Sequence, residues 1–413
     1  MLGMRHAVFR QLGKQRRFEH HRVLGAAIGK HRPVKGDVYV IEKFQDRIKN
    51  RYDYAKGWKA KTGGKVVGVF CCYTPEEVLY AAGTLPQRIF GEHEPQEVTA
   101  PYIYSGMFCP FCRNCLAQGL TGRMGYVDAV VMAQTCTHIR QSFDSWRWHL
   151  PVEFAHFISM PFKVEDPKAL VFETKEYEVF VKAVEEWLGV KITDEKLSEA
   201  IDLYNESRQL LAQIYEMRKQ NPPPIHGYEV LDVVEAGMIM DRKEYNELLK
   251  ELVAWLPNRT DKPQVGSRLM IVGGENDQSE LLKIIEDLGA NIVTDDLCFG
   301  KRYWELETKK EGNLLGNLAA RYLGKPSCPT KDIPYNRRKE LLMQQYKDYN
   351  VEGIFFVHQK FCDPNEFDVP VLAAFAREKG IPNFFMELDT TIPVGQLRTR
   401  AEAFLEMLQL ELV

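Results

Sequence analysis

Nine cysteines occur among 413 residues, and six of them crowd between positions 71 and 136. They are the pair Cys71-Cys72, the run Cys109-Pro-Phe-Cys112-Arg-Asn-Cys115, and Cys136; Cys298, Cys328 and Cys362 follow far downstream. Cysteines used as small core hydrophobes scatter along a chain. Clustered thiols in a reducing compartment, where disulfides do not persist, point instead to metal. The CxxCxxC spacing brings thiolates within reach of one metal centre, as in ferredoxin-type runs, though burial or a redox pair would also produce it. Zinc is the rival, because it takes four ligands in local pairs. Here the candidates exceed four and come from two distant parts of the chain, which suits a larger iron–sulfur assembly.

The elements that must position these thiols are legible at their flanks. Val66–Glu77 reads VVGVFCCYTPEE: an apolar run, the cysteine pair, a turn, and Pro75 with acids behind it. Pro followed by acids is a helix-start signal. Cys71 and Cys72 therefore fall where a strand stops and a helix begins, the edge at which open α/β sheets bind ligands. Tyr126–Ala133 reads as a buried strand that runs out at Cys136, Asn291–Leu297 as one ending at Cys298, and Val351–Gln359 as one ending at Cys362. Ser105–Leu120 enters a helix near Pro110. Gln87–Phe90, Phe154–Met160, Arg268–Val272 and Asn383–Leu388 supply further strands. Glu76–Ala82, Ser279–Gly289, Val369–Lys379 and Leu397–Leu410 supply helices.

Strands alternating with helices imply parallel sheets covered on both faces. The expected fold class is α/β: two similar Rossmann- or flavodoxin-like lobes with parallel sheets facing an interdomain cleft, plus a helical connector and an N-terminal helical arm. The divisions expected are 1–64 for the arm, 65–164 for the first lobe with the cysteine cluster, 165–262 for the connector and 263–413 for the second lobe. VDAVV before Cys136 parallels VEGIF before Cys362, and VVGVF before Cys71-Cys72 parallels LMIV before Gly273-Gly274, which suggests an internal duplication. In the connector, Leu197–Met217 keeps a 3.6-residue apolar period until Asn221-Pro222-Pro223-Pro224 breaks it. The arm is polar and basic, with patchy helical periodicity over Asp37–Trp58; it is expected either to pack on the body or on a partner subunit, or to stand as a solvated arm.

Composition narrows the function classes. Hydrophobic content of 45% and charged content of 27% are ordinary for a soluble globular protein. A net charge of −3 carries no nucleic-acid footprint. No signal peptide and no apolar stretch long enough to span a bilayer are visible, so the expected location is the cytoplasm.

Six segments, CCYTPEEVLYAAG, FCPFCRNCLAQ, AQTCTHIRQSFDSW, DDLCFGKRYW, KFCDPNEFDVP and LDTTIPVGQLRTRAEAFLEM, together resemble the 2-hydroxyacyl-CoA dehydratase and benzoyl-CoA reductase superfamily along most of residues 65–413. The resemblance implies two α/β lobes with an iron–sulfur cluster between them, and electrons from a separate ATP-hydrolysing iron–sulfur activator. In dehydratase-type subunits three cysteines hold one [4Fe–4S] cluster, and by motif these match Cys72, Cys109 and Cys362. This chain departs by carrying extra thiols. Such surplus resembles the double-cubane branch, in which two [4Fe–4S] units share a bridging sulfide as an [8Fe–9S] cluster and take three cysteines each. The six implied ligands are Cys71, Cys72, Cys109, Cys112, Cys136 and Cys362, with Cys115 in reserve. Cys298 and Cys328 also resemble cysteines of single-cluster relatives and read as buried rather than ligating. A homodimer and an anaerobic host follow from the same resemblance.

Many thiolates make a site strongly anionic and push its potential down, so that reduction needs coupled energy. The chain has no GxxxxGK[ST] loop, and Gly273-Gly274 is too short a glycine signal to bind ATP, so hydrolysis falls to the partner. Candidates for catalytic or tuning roles are His138, two residues past Cys136; Glu77, with Glu76, behind the cysteine pair; and His358, close to Cys362. Their structural readings are satisfied histidines and acids complementing a helix dipole. Lys301, Arg302 and Tyr303 read as an anion site, such as for a CoA phosphate, or as a solvated loop. Phe143 and Trp146 read as core. Three functions remain: a low-potential reductase with a double-cubane cluster acting on small molecules, a [4Fe–4S] subunit of a CoA-thioester dehydratase or reductase, and a non-catalytic electron-transfer or zinc scaffold protein.

Overall fold

The structure is a computed structural model that describes residues 39–92, 97–103, 105–331, 336–391 and 393–411. The first 38 residues, which carry most of the basic arm, lie outside the described residues. In chain order α1 (Tyr39–Lys49), α2 (Arg51–Thr62), β1 (Val66–Val69), α3 (Glu76–Ala81), β2 (Leu85–Arg88), α4 (Pro110–Leu120), β3 (Ala129–Ala133), α5 (Thr137–His149) and β4 (Phe154–Ile158) build the first sheet and its cover. Four helices follow, α6 (Pro167–Leu188), α7 (Asp194–Met217), α8 (Gly227–Gly237) and α9 (Arg242–Trp255). The second sheet and its cover are β5 (Ser267–Gly273), α10 (Ser279–Glu286), β6 (Ala290–Asp296), α11 (Lys301–Trp304), α12 (Leu314–Gly324), α13 (Asn336–Asp348), β7 (Gly353–Gln359), α14 (Asp363–Glu378), β8 (Asn383–Leu388) and α15 (Val394–Glu411).

Both sheets are four-stranded and wholly parallel, in the orders β2-β1-β3-β4 and β6-β5-β7-β8. The order is the same in each once β5 is matched to β1. The internal likeness read from the sequence extends to a shared device. Asp128, just before β3, accepts the Val66 N–H at 2.9 Å, and Glu352, just before β7, accepts the Arg268 N–H at 3.0 Å. Each acid caps the start of the neighbouring strand. The expected strands over Tyr126–Ala133 and Val351–Gln359 accordingly begin later, at Ala129 and Gly353, because the capping acids belong to the approach loops.

Strand order reverses between β1 and β3, and again between β5 and β7; open α/β sheets leave a crevice at such points, beyond the carboxyl ends of the strands. At the second of them backbones approach closely. A Cβ on Gly273 would lie 1.9 Å from the Val357 carbonyl oxygen, so no side chain fits there. The helices between the sheets tie the halves together: α7 packs on α3 and α9 and also touches α11 and α12. Its buried face, with Leu197, Ile201, Leu211, Ile214 and Tyr215, is the 3.6-period stripe read from the sequence. Phe143 and Trp146 are core, both edge-on to Phe70. Helices α1 and α2 lie in the segment expected to form the arm; α1 packs on α8 and α9. No helix among the described residues is long and apolar enough to cross a membrane.

Candidate metal centre

Eight of the nine cysteines line one cavity of about 590 Å³ of empty space, its opening to solvent included. They are Cys71, Cys72, Cys109, Cys112, Cys136, Cys298, Cys328 and Cys362. Each is delivered by a chain transition at the carboxyl edge of a sheet or beside it. Cys71 and Cys72 follow β1, where the Thr74 N–H closes a turn onto the Cys71 carbonyl at 3.1 Å. Cys109 is the N-cap of α4, with Pro110 as the first helical residue, so Cys112 lies one turn on along the same face. Cys136 caps α5 and Cys362 caps α14. Phe361, the residue before Cys362, adopts φ of 57°, a left-handed conformation that turns the chain sharply out of β7. The Cys298 N–H donates to the Gly274 carbonyl at 3.2 Å, which draws the loop after β6 against the end of β5.

The thiols fall into two hydrogen-bonded sets. Cys72 accepts from Cys71 and Cys298. Cys109 accepts from Cys112 and Cys362, and Cys112 is bonded to Cys136. Both sets therefore take thiols from both sheets. The accepted bonds hold Cys72 and Cys109 well below the ordinary thiol range. Donating pushes Cys71, Cys298 and Cys362 up, with burial adding to it, and burial does the same to Cys112.

The two sets are compensated differently. Three helix N-termini, of α4, α5 and α14, meet at Cys109, Cys136 and Cys362, and the positive end of a helix favours a thiolate. The first set is faced by buried cations. Lys325, fully buried, donates to the Cys72 carbonyl at 2.8 Å and to Cys72 Sγ at 3.3 Å. Arg302 reaches Cys298 Sγ at 3.7 Å and the Gly273 carbonyl at 2.7 Å while gripping Asp296 through two nitrogens. Arg338 binds Asp296 and Asp368, and donates to the Ser327 carbonyl at 2.6 Å beside Cys328. Glu275, in the cavity wall, is paired with Arg88 at 2.9 Å; burial pushes its carboxyl up to about 7, Arg88 opposing.

Among the described residues no three His, Cys, Asp or Glu side chains converge on a single metal ion. The thiols instead border the cavity. Two observations fit an anionic iron–sulfur group there: the eight thiols of the wall, and a fully buried lysine whose hydrogen bonds, among the described residues, go to one cysteine. Buried charges of this kind require an opposite charge nearby.

The cavity wall includes all six cysteines implied as ligands and His138, and it differs from the sequence reading elsewhere. Cys298 and Cys328, read as buried rather than ligating, are buried and half-buried in turn, yet both border the cavity, because the Arg302–Asp296–Arg338 network anchors their loops there. Cys115, the reserve ligand, is not; its thiol donates to the Ile89 carbonyl at 3.6 Å in the sheet core. His358 is also outside the wall, with Nε2 3.7 Å from Glu387 on the neighbouring strand β8. Glu76 and Glu77 stand in the first turn of α3, as expected, and are also buried ion-pair partners. Glu76 meets Arg242 at 3.2 Å and Tyr303 at 2.9 Å, while Glu77 binds Arg208 and accepts from Tyr322 at 2.8 Å. Lys301, Arg302 and Tyr303 lie in the buried α11 rather than in a solvated loop, and Arg302 reaches the cavity wall. The Cys109 N–H donates to His138 Nδ1 at 3.3 Å, the ring stacks on Phe108, and Nε2 lies 3.9 Å from Asp363.

The chain is similar to enzymes of CoA-thioester chemistry over nearly its whole length. It is 28% identical over 368 residues to the (R)-phenyllactyl-CoA dehydratase beta subunit of Clostridium sporogenes, a match covering 88% of this chain and 97% of that protein. It is 27% identical to a benzoyl-CoA reductase subunit of Thauera aromatica, over 86% of this chain and 94% of that one. It is also 27% identical to the beta subunit of the lactoyl-CoA dehydratase of Anaerotignum propionicum, over 89% and 98%. These relatives favour the dehydratase- or reductase-subunit reading over the double-cubane one. The family profile described as 2-hydroxyglutaryl-CoA dehydratase, D-component, matches residues 71–408, the span from the first thiol of the cavity to the last helix, and the chain belongs to that family.

Proposed function

We propose that this chain is the iron–sulfur subunit of a dehydratase- or reductase-type enzyme acting on a CoA thioester. The observation that supports it most is the cavity wall of eight thiols drawn from both sheets. A bound [4Fe–4S] cluster would supply one-electron transfer at low potential, the chemistry the polypeptide lacks. Cys72, Cys109 and Cys362 would hold it. The helix N-termini at Cys109 and Cys362 stabilise the thiolates, and Arg302 keeps the Cys298 loop in place. With Nδ1 accepting from the Cys109 N–H, a neutral His138 carries its proton on Nε2, beside Asp363, and is the group best set to hold a proton at the cavity. Because the sequence has no phosphate-binding loop, ATP hydrolysis belongs to a separate iron–sulfur activator that delivers the electrons. A cytoplasmic homodimer in an anaerobic host completes this reading.

A second reading, the double-cubane [8Fe–9S] cluster of a low-potential reductase of small molecules, is favoured by one specific observation: the thiols divide into two sets. Cys71, Cys72 and Cys298 make one set, and Cys109, Cys112, Cys136 and Cys362 the other. Three ligands per cubane are then available only if Cys298 serves the first.

Anaerobic purification with iron, sulfide and zinc analysis and electron paramagnetic resonance tests both. About four irons per chain support the first reading and about eight the second. Zinc in their place, in a tetrahedral site, removes both. Cys298→Ala lowers iron content under the second reading alone, and Cys115→Ala leaves it unchanged under either.

A further inference from the structure

Lys325 sits at the end of α12 with none of its side chain exposed. Its ammonium has no carboxylate partner among the described residues. Its hydrogen bonds go to the Cys72 carbonyl and Cys72 Sγ, and its remaining neighbours are the faces of Tyr73, 4.1 Å from the ring centre, and Tyr322 at 5.7 Å. One helical turn earlier, Arg321 donates to the carbonyls of Tyr303, Glu305 and Leu306. Glu77, the acid that Arg321 feels, is occupied by Arg208 and Tyr322. Cys72 is therefore the group that Lys325 faces, and no carboxylate among the described residues shares that charge. A buried ammonium is costly unless an anion stands beside it, and here that place falls to Cys72 and whatever it binds.

We propose that Lys325 is the resident counter-ion of the sulfur site: its fixed charge compensates the anionic group bound through Cys72 and thereby raises that group's reduction potential. This rests on the iron–sulfur reading above. The step concerned is the addition of one electron to the bound cluster, in which no bond forms or breaks. Adding negative charge beside a fixed ammonium at low local dielectric is easier than adding it beside a neutral side chain. Lys325 acts through Cys72 and is a positioning and tuning residue. The second set of thiols, with helix N-termini in place of a side-chain cation, has no equivalent that one substitution can remove.

The test compares full-length wild type, Lys325→Met and Lys325→Arg, purified anaerobically. Iron and sulfide are counted, and the cluster is titrated with titanium(III) citrate, which gives one electron as titanium(III) becomes titanium(IV), while its paramagnetic signal is followed. Lys325→Met is expected to keep its iron and to titrate at least about 59 mV more negative, a tenfold loss in the one-electron reduction constant. Lys325→Arg is expected to recover most of that shift. Iron retained by Arg and lost by Met also supports the proposal. A Met variant with full iron and the wild-type potential overturns it, and so does equal loss of iron from both variants, which would make shape rather than charge the requirement. Wild type without iron removes the iron–sulfur reading itself, and this inference with it.

Discussion

Glu173, on α6, is fully buried, and neither carboxylate oxygen has a hydrogen-bond partner among the described residues. Burial pushes its pKa from the ordinary 4.5 up to about 8, with Lys331 opposing. A raised pKa in an acid means that the folded chain keeps a proton the unfolded chain gives up. Its contribution to stability is whole below about pH 4.5 and is lost as pH rises toward about 8, at about 1.4 kcal/mol per pH unit. At pH 7 the accumulated loss is about 3 kcal/mol, a large part of an ordinary domain's stability. Glu173→Gln keeps the shape and removes the titration. Urea unfolding of both proteins between about pH 5 and pH 8 measures the difference directly. Wild type should lose stability more steeply with rising pH, by close to one proton's worth, and the variant should be the more stable at the alkaline end. Parallel profiles for the two proteins would refute the reasoning, because the titrating group would then lie elsewhere.

Two further expectations concern the scaffold of the cavity. Arg338→Met leaves Asp368 without its guanidinium partner in a fully buried site and weakens the hold on Asp296; breaking such a pair costs about 3–5 kcal/mol. A fall of less than about 1 kcal/mol by urea unfolding would make the network incidental. Gly273→Ala drives a methyl group into the Val357 carbonyl, so β5 and β7 must separate at the cavity edge. Overpacking of this kind costs about 1–3 kcal/mol, and iron retention should fall with it; unchanged thermal stability and iron content would show that the sheet gives way freely.

Much of this is legible in the sequence because strand ends announce themselves. An apolar run followed at once by cysteine and then a helix signal locates Cys71, Cys72, Cys136 and Cys362, and Pro110 marks the helix that Cys109 caps. Cys298 is located the same way, at the end of the Asn291–Leu297 strand, but its place in the cavity wall, and that of Cys328, escape such a reading for a physical reason. Their approach to the cavity is set by Arg302 and Arg338 reaching across to Asp296 and Asp368, with Arg338 and Asp296 lying 42 positions apart, and local pattern carries no trace of such pairing. Cys115 escapes it because helical spacing alone does not separate it from Cys112. Three residues leave Cys112 only about 60° off the Cys109 face, but six leave Cys115 about 120° off it, enough to carry the thiol from the cavity to the Ile89 carbonyl. Glu76 and Glu77 look like dipole complements by position, and only the arrival of Arg242 and Arg208 from the connector helices makes them buried ion pairs. Lys325 has no motif around it and stands out only through its burial and its single sulfur contact.

Each set of thiols includes one made early and one made late in synthesis. Cys298 and Cys362 leave the ribosome more than 200 residues after Cys71 and Cys72, an interval on the order of ten seconds to a minute at ordinary elongation rates. During that time the early cysteines exist as an incomplete grip, open to oxidation or to stray metal. Under the iron–sulfur reading, the ligand set is complete only once translation has passed Cys362, and a fragment truncated before β7 should be unable to hold the cluster.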